Sequence, residues 1–224
     1  MCSHPPKLLI VERLDSNGLT EQEFLNRYHP GDYPRPSVTA DVVVLALPSA
    51  SSSATQTTRH DLPHVLLIRR GAHPYIGHWA LPGGFVNPDE TVGAAARREL
   101  EEEAGIQPEN LVQLFTFSTP GRDPRTWIIT VAHMAIVTDE HLAVRAGDDA
   151  EDAQWFAIAT SRRNDVVDIT LTHADLRLST RLWQTGTMAQ APDGEAYAIL
   201  TNDGLAFDHA KIIACALQKL GMLD

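Results

Sequence analysis

The chain has 224 residues, 43% of them hydrophobic, which suits one domain with embellishments or one domain with a small extension. Its formal net charge of −11 argues against a protein that follows nucleic-acid backbones, although acidic proteins can still bind nucleotides through a divalent metal. No segment has the roughly 18 consecutive apolar residues of a membrane span, and the start lacks a secretory signal pattern. Only Cys2 and Cys215 are present, which predicts no disulfide framework and a reduced, cytoplasmic setting.

Residues 1–36 are predicted to form an N-terminal extension. Lys7–Glu12 is typical of a short strand, and a small helix is expected around Glu21–Tyr28. The Pro- and Gly-rich run at 29–36 cannot continue a helix and is interpreted as a connector. The extension is therefore expected to precede a separate main domain.

The main domain is predicted to span residues 37–224. It begins with two strands, Ser37–Leu47 and His64–Arg70, both rich in Val, Leu or Ile. Between them, residues 48–63 consist largely of Ser, Ala and Thr, a composition that predicts a mobile loop.

Later elements mix strands with a few helices. A helix is expected to start after Asp89-Glu90-Thr91 and to end at Gly105, a typical C-terminal cap. Further strands and a final helix are predicted at Leu111–Phe117, Trp127–Val137, Gln154–Ile158, Val166–Thr172, Ala196–Thr201 and Phe207–Leu220. Residues 159–206 are interpreted as an insertion without an assigned role. The pattern predicts an α+β fold, with a mixed sheet flanked by helices.

The first long helix carries acids where its buried stripe should continue. An apolar stripe begins at Val92 and Ala95, but the next positions on it are Glu99 and Glu103, with Glu102 beside them. At about 100° per residue the three carboxylates span an arc of roughly 100°, so we expect them to face the protein body. The alternative is a solvated acidic face, but a like-charge pair four residues apart costs roughly 0.2–0.5 kcal/mol. A divalent cation would replace this repulsion by coordination, so the pattern predicts a magnesium–phosphate site.

The stretch from Gly84 to Ile106 resembles the Nudix signature. That signature is Gly, five residues, Glu, seven residues, Arg-Glu, an aliphatic, any residue, Glu-Glu, any residue, Gly, an aliphatic. It is matched by Gly84, Glu90, Arg98, Glu99, Leu100, Glu102, Glu103, Gly105 and Ile106. The resemblance implies an α/β/α sandwich and the hydrolysis of a diphosphate in a nucleotide derivative.

The resemblance also implies roles for particular residues. Glu99, Glu102 and Glu103 match the acids that bind Mg²⁺, with Mn²⁺ as a substitute, and the carbonyl of Gly83 often joins them. Arg98 is expected to pair with one of these glutamates and to orient it, so we group it with the catalytic residues.

The general base stays open among four acids. Glu102 is one candidate, because a carboxylate can take the proton of the attacking water. Family members also recruit an acid from a loop outside the helix, and the acidic run at 147–152 offers Asp148, Asp149 and Glu151. Each of these three is also explained as a solvated turn residue.

Substrate choice depends on residues outside the helix. Arg122 and Arg125, in Gly121-Arg-Asp-Pro-Arg, present forked donors suited to phosphate or ribose oxygens. With Leu-Pro-Gly-Gly-Phe-Val before the helix and Phe207-Asp-His-Ala-Lys-Ile-Ile near the end, this stretch resembles the ADP-ribose pyrophosphatase branch and its regulator relatives. The products there would be AMP and ribose 5-phosphate. Candidates for an adenine-stacking surface are Tyr33, Phe117 and Trp127, although packing explains each of them as well.

The sequence leaves open an alternative function, alternative substrates and the oligomeric state. An ADP-ribose-sensing regulator is the runner-up; the acidic charge, the intact acids and the short stretch after Phe207 count against it. Other diphosphate substrates are NADH, nucleoside triphosphates and dinucleoside polyphosphates. Related ADP-ribose hydrolases are often homodimers, so a homodimer is a further hypothesis. The expected partner is thus a small nucleotide, with neither a membrane nor a nucleic acid.

Overall fold

A computed structural model of the protein describes residues 13–48, 62–137, 150–186 and 195–223. The strand predicted at Lys7–Glu12 and most of the loop predicted at 48–63 lie outside these residues. The chain divides into two compact units, Met1–Arg35 and Pro36–Asp224.

The first unit contains one short helix, α1 (Glu21–Arg27), followed by a 3-10 turn at Pro30–Asp32. A capping box starts α1: the hydroxyl of Thr20 accepts the N–H of Glu23 at 3.3 Å, and the Glu23 carboxylate accepts the N–H of Thr20 at 2.9 Å. The helix predicted at Glu21–Tyr28 is confirmed to within one residue.

The second unit is built around one mixed sheet of ten strands, as far as the described residues show. The strands are β1 (Ser37–Ala46), β2 (His64–Arg70), β3 (Trp79–Ala80), β4 (Gly83–Phe85), β5 (Val112–Phe117), β6 (Ile128–Val137), β7 (Ala150–Arg163), β8 (Val166–His173), β9 (Leu176–Gln184) and β10 (Tyr197–Asp203); the helices are α2 (Val92–Ala104) and α3 (His209–Lys219). The order across the sheet is β10-β9-β8-β7-β2-β1-β6-β5, with β3 paired to β2 and β4 paired to β1. β1 and β6 pair in parallel, and the other pairs are antiparallel.

Strand β1 has a helix on each side. Its side chains alternate between the two faces, as in any strand, and both faces are buried. Val43 and Leu45 belong to the core cluster that contains the apolar side of α3. Val42 and Val44 belong to the cluster that contains Ala95, Ala96 and Leu100 of α2. The predicted sandwich, with helices on both faces of a mixed sheet, is confirmed.

The segment interpreted as an insertion continues the sheet. β7 extends well past the predicted strand, and β8, β9 and β10 follow it as successive antiparallel neighbours. The strands predicted at Val166–Thr172 and Ala196–Thr201 are confirmed, but β9 was missed. Its signal is present, because buried Leu178, Thr180 and Leu182 alternate with exposed residues, as expected for a strand with one solvated face.

The short strand β4 positions the helix that carries the acids. Asp41 of β1 pairs with Gly83, and Ala40 pairs with Gly84, so this turn lies directly on the central strand. α2 begins seven residues after β4 and packs on the same face through Leu100, which is fully buried. Among the described residues, none of the helices has the length and hydropathy needed to cross a membrane.

Candidate active site

Helix α2 begins and ends where its sequence predicts. Thr91 caps the N-terminus, since its hydroxyl accepts the N–H of Ala94 at 3.2 Å. Gly105 ends the helix in a left-handed conformation, with φ of 69°. The caps set the ends of α2, and the packing of Ala95, Ala96 and Leu100 on the sheet sets the direction in which its acids point.

Arg98 is the centre of an ion-pair network. One terminal nitrogen lies 2.7 Å from Glu99 and 3.0 Å from Glu102, and the other lies 2.7 Å from Glu90. That second nitrogen also donates to the carbonyl of Phe85 at 3.1 Å. The bonds from Arg98 lower the pKa of Glu90 to about 2. The predicted pairing of Arg98 with a glutamate of the helix is thus present in the geometry, and Glu90 helps to hold the arginine.

Glu103 and Glu99 lie against the two glycines of β4. Glu103 accepts the N–H of Gly83 at 2.8 Å, and its burial raises its pKa to about 8. Burial also raises the pKa of Glu99. A Cβ atom on Gly84 would lie 2.4 Å from the Glu99 carboxylate, so this approach requires glycine.

Glu102 does not face the protein body as expected. Its side chain is 59% exposed, and its carboxylate lies at Arg98 on the surface. The predicted arc of roughly 100° places it at the edge of the buried stripe, where Arg98 on the preceding turn attracts it outward. Arg98 stands four residues before Glu102, so a cation of the same helix already offsets part of the repulsion between the acids.

Glu99 and Glu103 line a cleft of about 500 Å³. The same cleft is bordered by Gly83, Gly84, the first half of β1 and the end of β2. It is also lined by Arg70, Arg98, Arg122 and Arg125, by Phe85 and Phe207, and by Asp41, Asp123 and His209. The site therefore combines acids for a cation with guanidinium groups for an anion.

Arg122 lies buried at the cleft and is bound to acids. It donates to both carboxylate oxygens of Asp208, at 2.9 and 2.6 Å, and lies 3.7 Å from Asp41. Only 4% of its side chain is exposed. Its expected role as a donor to substrate oxygens is thus restricted, because Asp208 engages two of its three nitrogens and fixes the arginine in the wall.

Arg125 is more accessible, with 39% of its side chain exposed. It pairs with Asp123 at 2.7 Å, and its guanidinium carbon lies 5.2 Å from the ring centroid of Phe85 and 5.7 Å from that of Phe207. Asp123 is buried, and the bonds from Arg125 hold its pKa below the usual range against the opposing effect of burial.

The stacking candidates chosen from sequence do not include the aromatic residues of the cleft. Phe117 is a core residue with 2% exposure, Trp127 is half-exposed and does not line the cleft, and Tyr33 belongs to the first unit. Phe85 and Phe207 line it instead. Phe85 follows directly after the two glycines, a position that could have drawn attention to it.

Arg70, Asp41 and His209 also line the cleft, and none of them was predicted as a site residue from the sequence. Arg70 ends the predicted strand β2, Asp41 interrupts the apolar run of β1, and His209 starts α3. An acid within a buried strand is a readable signal, because buried charges normally have a partner or a function. The alternative bases Asp148 and Asp149, and the side chain of Glu151, lie outside the described residues.

The acids of the cleft suit a hard divalent cation. Glu99 and Glu103 supply carboxylate oxygens, and their raised pKa values reflect burial that nearby cations do not fully compensate. No cluster of three or more His, Cys, Asp or Glu side chains in the described part of the chain is arranged to hold a metal. Mg²⁺ retains several waters and needs only one or two carboxylates, so Glu99 and Glu103 fit it without Glu102.

Comparison with known proteins identifies the family. A model described as the NUDIX domain matches residues 26–171, which is more than half of the chain. The chain therefore belongs to the NUDIX domain family. This agrees with the resemblance of Gly84–Ile106 to the family signature and with the sandwich fold.

Two relatives differ in their named roles. The ADPR responsive transcriptional repressor NtrR of Acinetobacter baylyi is 30% identical over 162 residues, which cover 71% of this chain and 59% of the repressor. The ADP-ribose pyrophosphatase of Methanocaldococcus jannaschii is 36% identical over 122 residues, which cover 54% of this chain and 68% of that enzyme. The chain thus spans only part of the length of either relative.

Solved structures show the same fold. A MutT/nudix family protein from Enterococcus faecalis is 36% identical, with a TM-score of 0.69 over 91% of this chain and 70% of that one. The NUDIX domain of Shewanella oneidensis NrtR, complexed with ADP ribose, is 25% identical, with a TM-score of 0.58 over 90% of this chain and 99% of that one.

Proposed function

We propose that the protein hydrolyses the diphosphate of ADP-ribose, with Mg²⁺, to AMP and ribose 5-phosphate. The observation that carries the proposal is the pair of partly buried carboxylates, Glu99 and Glu103, in a cleft of about 500 Å³ that also holds guanidinium groups. A relative named as an ADP-ribose pyrophosphatase and a related domain complexed with ADP ribose support this choice of substrate.

The acids of α2 and their neighbours have separate roles in this proposal. Glu99 and Glu103 would hold the cation, and Glu102 and the carbonyl of Gly83 are the further ligands that the family resemblance implies. Bound Mg²⁺ would neutralise phosphate oxygens and acidify a water molecule. Arg98 keeps Glu99 in place through its 2.7 Å contact.

The general base is proposed among Glu102, Asp148, Asp149 and Glu151. Glu102 is accessible, with 59% of its side chain exposed, but it must leave Arg98 before it can accept a proton.

A substrate panel tests the proposal. We expect magnesium-dependent release of AMP to be fastest with ADP-ribose, compared with NADH, nucleoside triphosphates and dinucleoside polyphosphates. Glu103→Gln should lower turnover by several orders of magnitude without loss of the fold, because the amide cannot replace a buried carboxylate as a cation ligand.

Glu101→Gln is the matched control. Glu101 lies on the same helix but is exposed, so its variant should retain the parental rate. Inactivity toward ADP-ribose would reject the substrate, and an active Glu103→Gln variant would reject the site.

An ADP-ribose-responsive regulator is the second candidate, favoured by the similarity to the Acinetobacter repressor over 71% of this chain. It predicts ligand binding without turnover and a DNA mobility shift that ADP-ribose changes. Rapid magnesium-dependent turnover without a shift would favour the enzyme. The homodimer is also proposed, and a monomer in light scattering would contradict it.

A further inference from the structure

Glu195 is a buried acid in the segment that the sequence predicted to be an insertion without a role. It lies two residues before β10, and only 7% of its side chain is exposed. One carboxylate oxygen accepts the hydroxyl of Thr119, and the other contacts the ammonium group of Lys211. Since a buried charge normally has a partner or a function, we asked where these two partners lead.

Thr119 leads directly to the cleft. It belongs to the loop at 118–127, which joins β5 to β6, and its carbonyl accepts the N–H of Arg122 at 3.1 Å. Arg122, Asp123 and Arg125 of this loop line the cleft. Because the hydroxyl and the carbonyl of Thr119 are both bonded, the point at which the loop approaches the cleft is fixed.

Lys211 leads to the same wall of the cleft. It lies in the first turn of α3, and its N–H donates to the carbonyl of Asp208 at 2.9 Å. The Asp208 carboxylate accepts both bonds from Arg122, at 2.9 and 2.6 Å. These contacts close a ring of five residues: Glu195, Thr119, Arg122, Asp208 and Lys211. Three segments that are distant in sequence therefore meet at Glu195.

The backbone of Glu195 is also tied to the strands of the insertion. Its carbonyl accepts the hydroxyl of Thr185 at 3.1 Å, and the N–H of Thr185 donates to the carbonyl of Ala196 at 2.8 Å. Thr185 directly follows β9. The carboxylate is thus held by the sheet on one side, and it holds the loop and the helix on the other.

The buried pair of Glu195 and Lys211 acts mainly through its geometry. Removing two charges from water costs free energy that offsets much of their attraction, so such a pair adds little net stability. Hydrogen bonds to a charged group are directional and stronger than neutral ones, so they fix where the bonded groups lie.

We propose that Glu195 is a positioning residue of the cleft, which holds the loop at 118–127 against the start of α3 through Thr119 and Lys211. The insertion thereby acts on the site, although none of its described residues lines the cleft. This inference rests on the proposed function only for its kinetic test.

Hydrogen exchange tests the proposal without a substrate. Thr119→Val removes the hydroxyl that joins the loop to Glu195 and keeps the pair of Glu195 with Lys211. The amides of the loop at 118–127 should then exchange about 10-fold faster, because a bond to a charged group no longer orders the loop. Mass spectrometry of peptides from the loop measures the change.

Thr180→Val is the matched control. The hydroxyl of Thr180 on β9 donates to the carbonyl of Thr201 at 3.0 Å, so this variant also loses one hydroxyl bond, but within the insertion. It should leave exchange in the loop at the parental rate. Parental exchange in the loop of Thr119→Val, or equally fast exchange in both variants, would overturn the proposal.

Glu195→Ala tests the acid itself. It removes both contacts, so its loop should exchange at least as fast as that of Thr119→Val. Combining the two substitutions should give no faster exchange than Glu195→Ala alone, because both break the same contact. Additive effects would reject the ring. If Glu195→Ala fails to fold, the comparison of Thr119→Val with Thr180→Val decides alone.

Steady-state kinetics separates positioning from a loss of stability. With the substrate that is hydrolysed fastest, Thr119→Val should raise KM by about 10-fold and leave kcat within about 2-fold, because the acids for the cation lie on α2, outside the ring. A mere loss of folded protein would lower kcat at constant KM and would reject the positioning role. If no diphosphate is hydrolysed, the proposed function fails, while hydrogen exchange still decides the role of Glu195.

Discussion

At Gly84 the backbone lies directly against one of the acids of the cleft. Its pairing with Ala40 places it on the central strand, and the Glu99 carboxylate occupies the space where a side chain would begin. A side chain of any size must displace this carboxylate. The Glu99 carboxylate can therefore hold this position only because residue 84 has no side chain.

Gly84→Ala should reduce turnover without a large loss of stability. The added Cβ would lie 2.4 Å from the Glu99 carboxylate, and displacement by about 1 Å can cost on the order of 100-fold in rate. Steady-state kinetics measures the loss, and circular dichroism checks the fold.

Gly93→Ala is the control for this substitution, because a Cβ there meets no atom within 4 Å. It should keep the parental rate and stabilise the protein by about 0.4–1 kcal/mol, since alanine restricts the unfolded chain. A fully active Gly84→Ala variant would show that the position of Glu99 is not critical.

At the scale of elements, the start of α3 is tied to the turn that precedes β4. The Nδ1 atom of His209 accepts the N–H of Leu81 at 2.9 Å, so the imidazole is held in the tautomer protonated at Nε2. Nε2 lies 4.0 Å from Asp41 of β1. One buried ring thus connects α3, the central strand and the chain leading to Gly83.

His209 should make stability depend on pH in a defined window. Burial lowers its pKa below the ordinary 6.5, so the folded protein holds the ring neutral while the unfolded chain takes up a proton. Its contribution is complete above about pH 6.5 and is lost as the pH falls through the folded pKa. Because the raised pKa of Glu103 acts in the opposite direction over the same interval, the loss is measured as the difference between the parent protein and a non-titrating variant in urea unfolding between pH 7.5 and pH 5.

Asparagine and alanine at 209 separate the hydrogen bond from the titration. His209→Asn can keep an acceptor for Leu81 but cannot titrate, so it should lack this part of the pH dependence. His209→Ala leaves the buried N–H unsatisfied and should be about 1–3 kcal/mol less stable than the Asn variant. Equal pH profiles for His and Asn would contradict the assignment.

Local signals predicted most elements, whereas contacts between distant residues decided much of the site. The caps of α2 follow from Thr91 and Gly105, and the alternation of Leu178 and Leu182 with Ser179 and Arg181 would have indicated β9. By contrast, the contact of Arg122 with Asp208 joins residues 86 apart in sequence, and no spacing rule indicates it. The helical angle alone placed Glu102 between the cleft and the surface, so it could not show that the side chain would turn outward to pair with Arg98.

For the whole molecule, a ligand that binds only the folded state raises the free energy of global unfolding. At a free concentration of 100 times the dissociation constant, this linkage adds about 2.7 kcal/mol. For a chain of 224 residues, that corresponds to a rise in Tm of roughly 5–10 °C. The acidic cleft can therefore be tested through global unfolding, independently of any substrate.

Mg²⁺ should raise the Tm of the protein, and EDTA should reverse the rise. Glu99→Gln combined with Glu103→Gln should abolish the shift, because both partly buried carboxylates would then be replaced by neutral amides. Glu102→Gln should reduce the shift less, since that carboxylate starts 3.0 Å from Arg98 at the surface. Glu101→Gln, with its exposed side chain, should leave the shift unchanged. Differential scanning calorimetry across a magnesium series would measure all four proteins, and a shift that survives in the double variant would place the cation elsewhere.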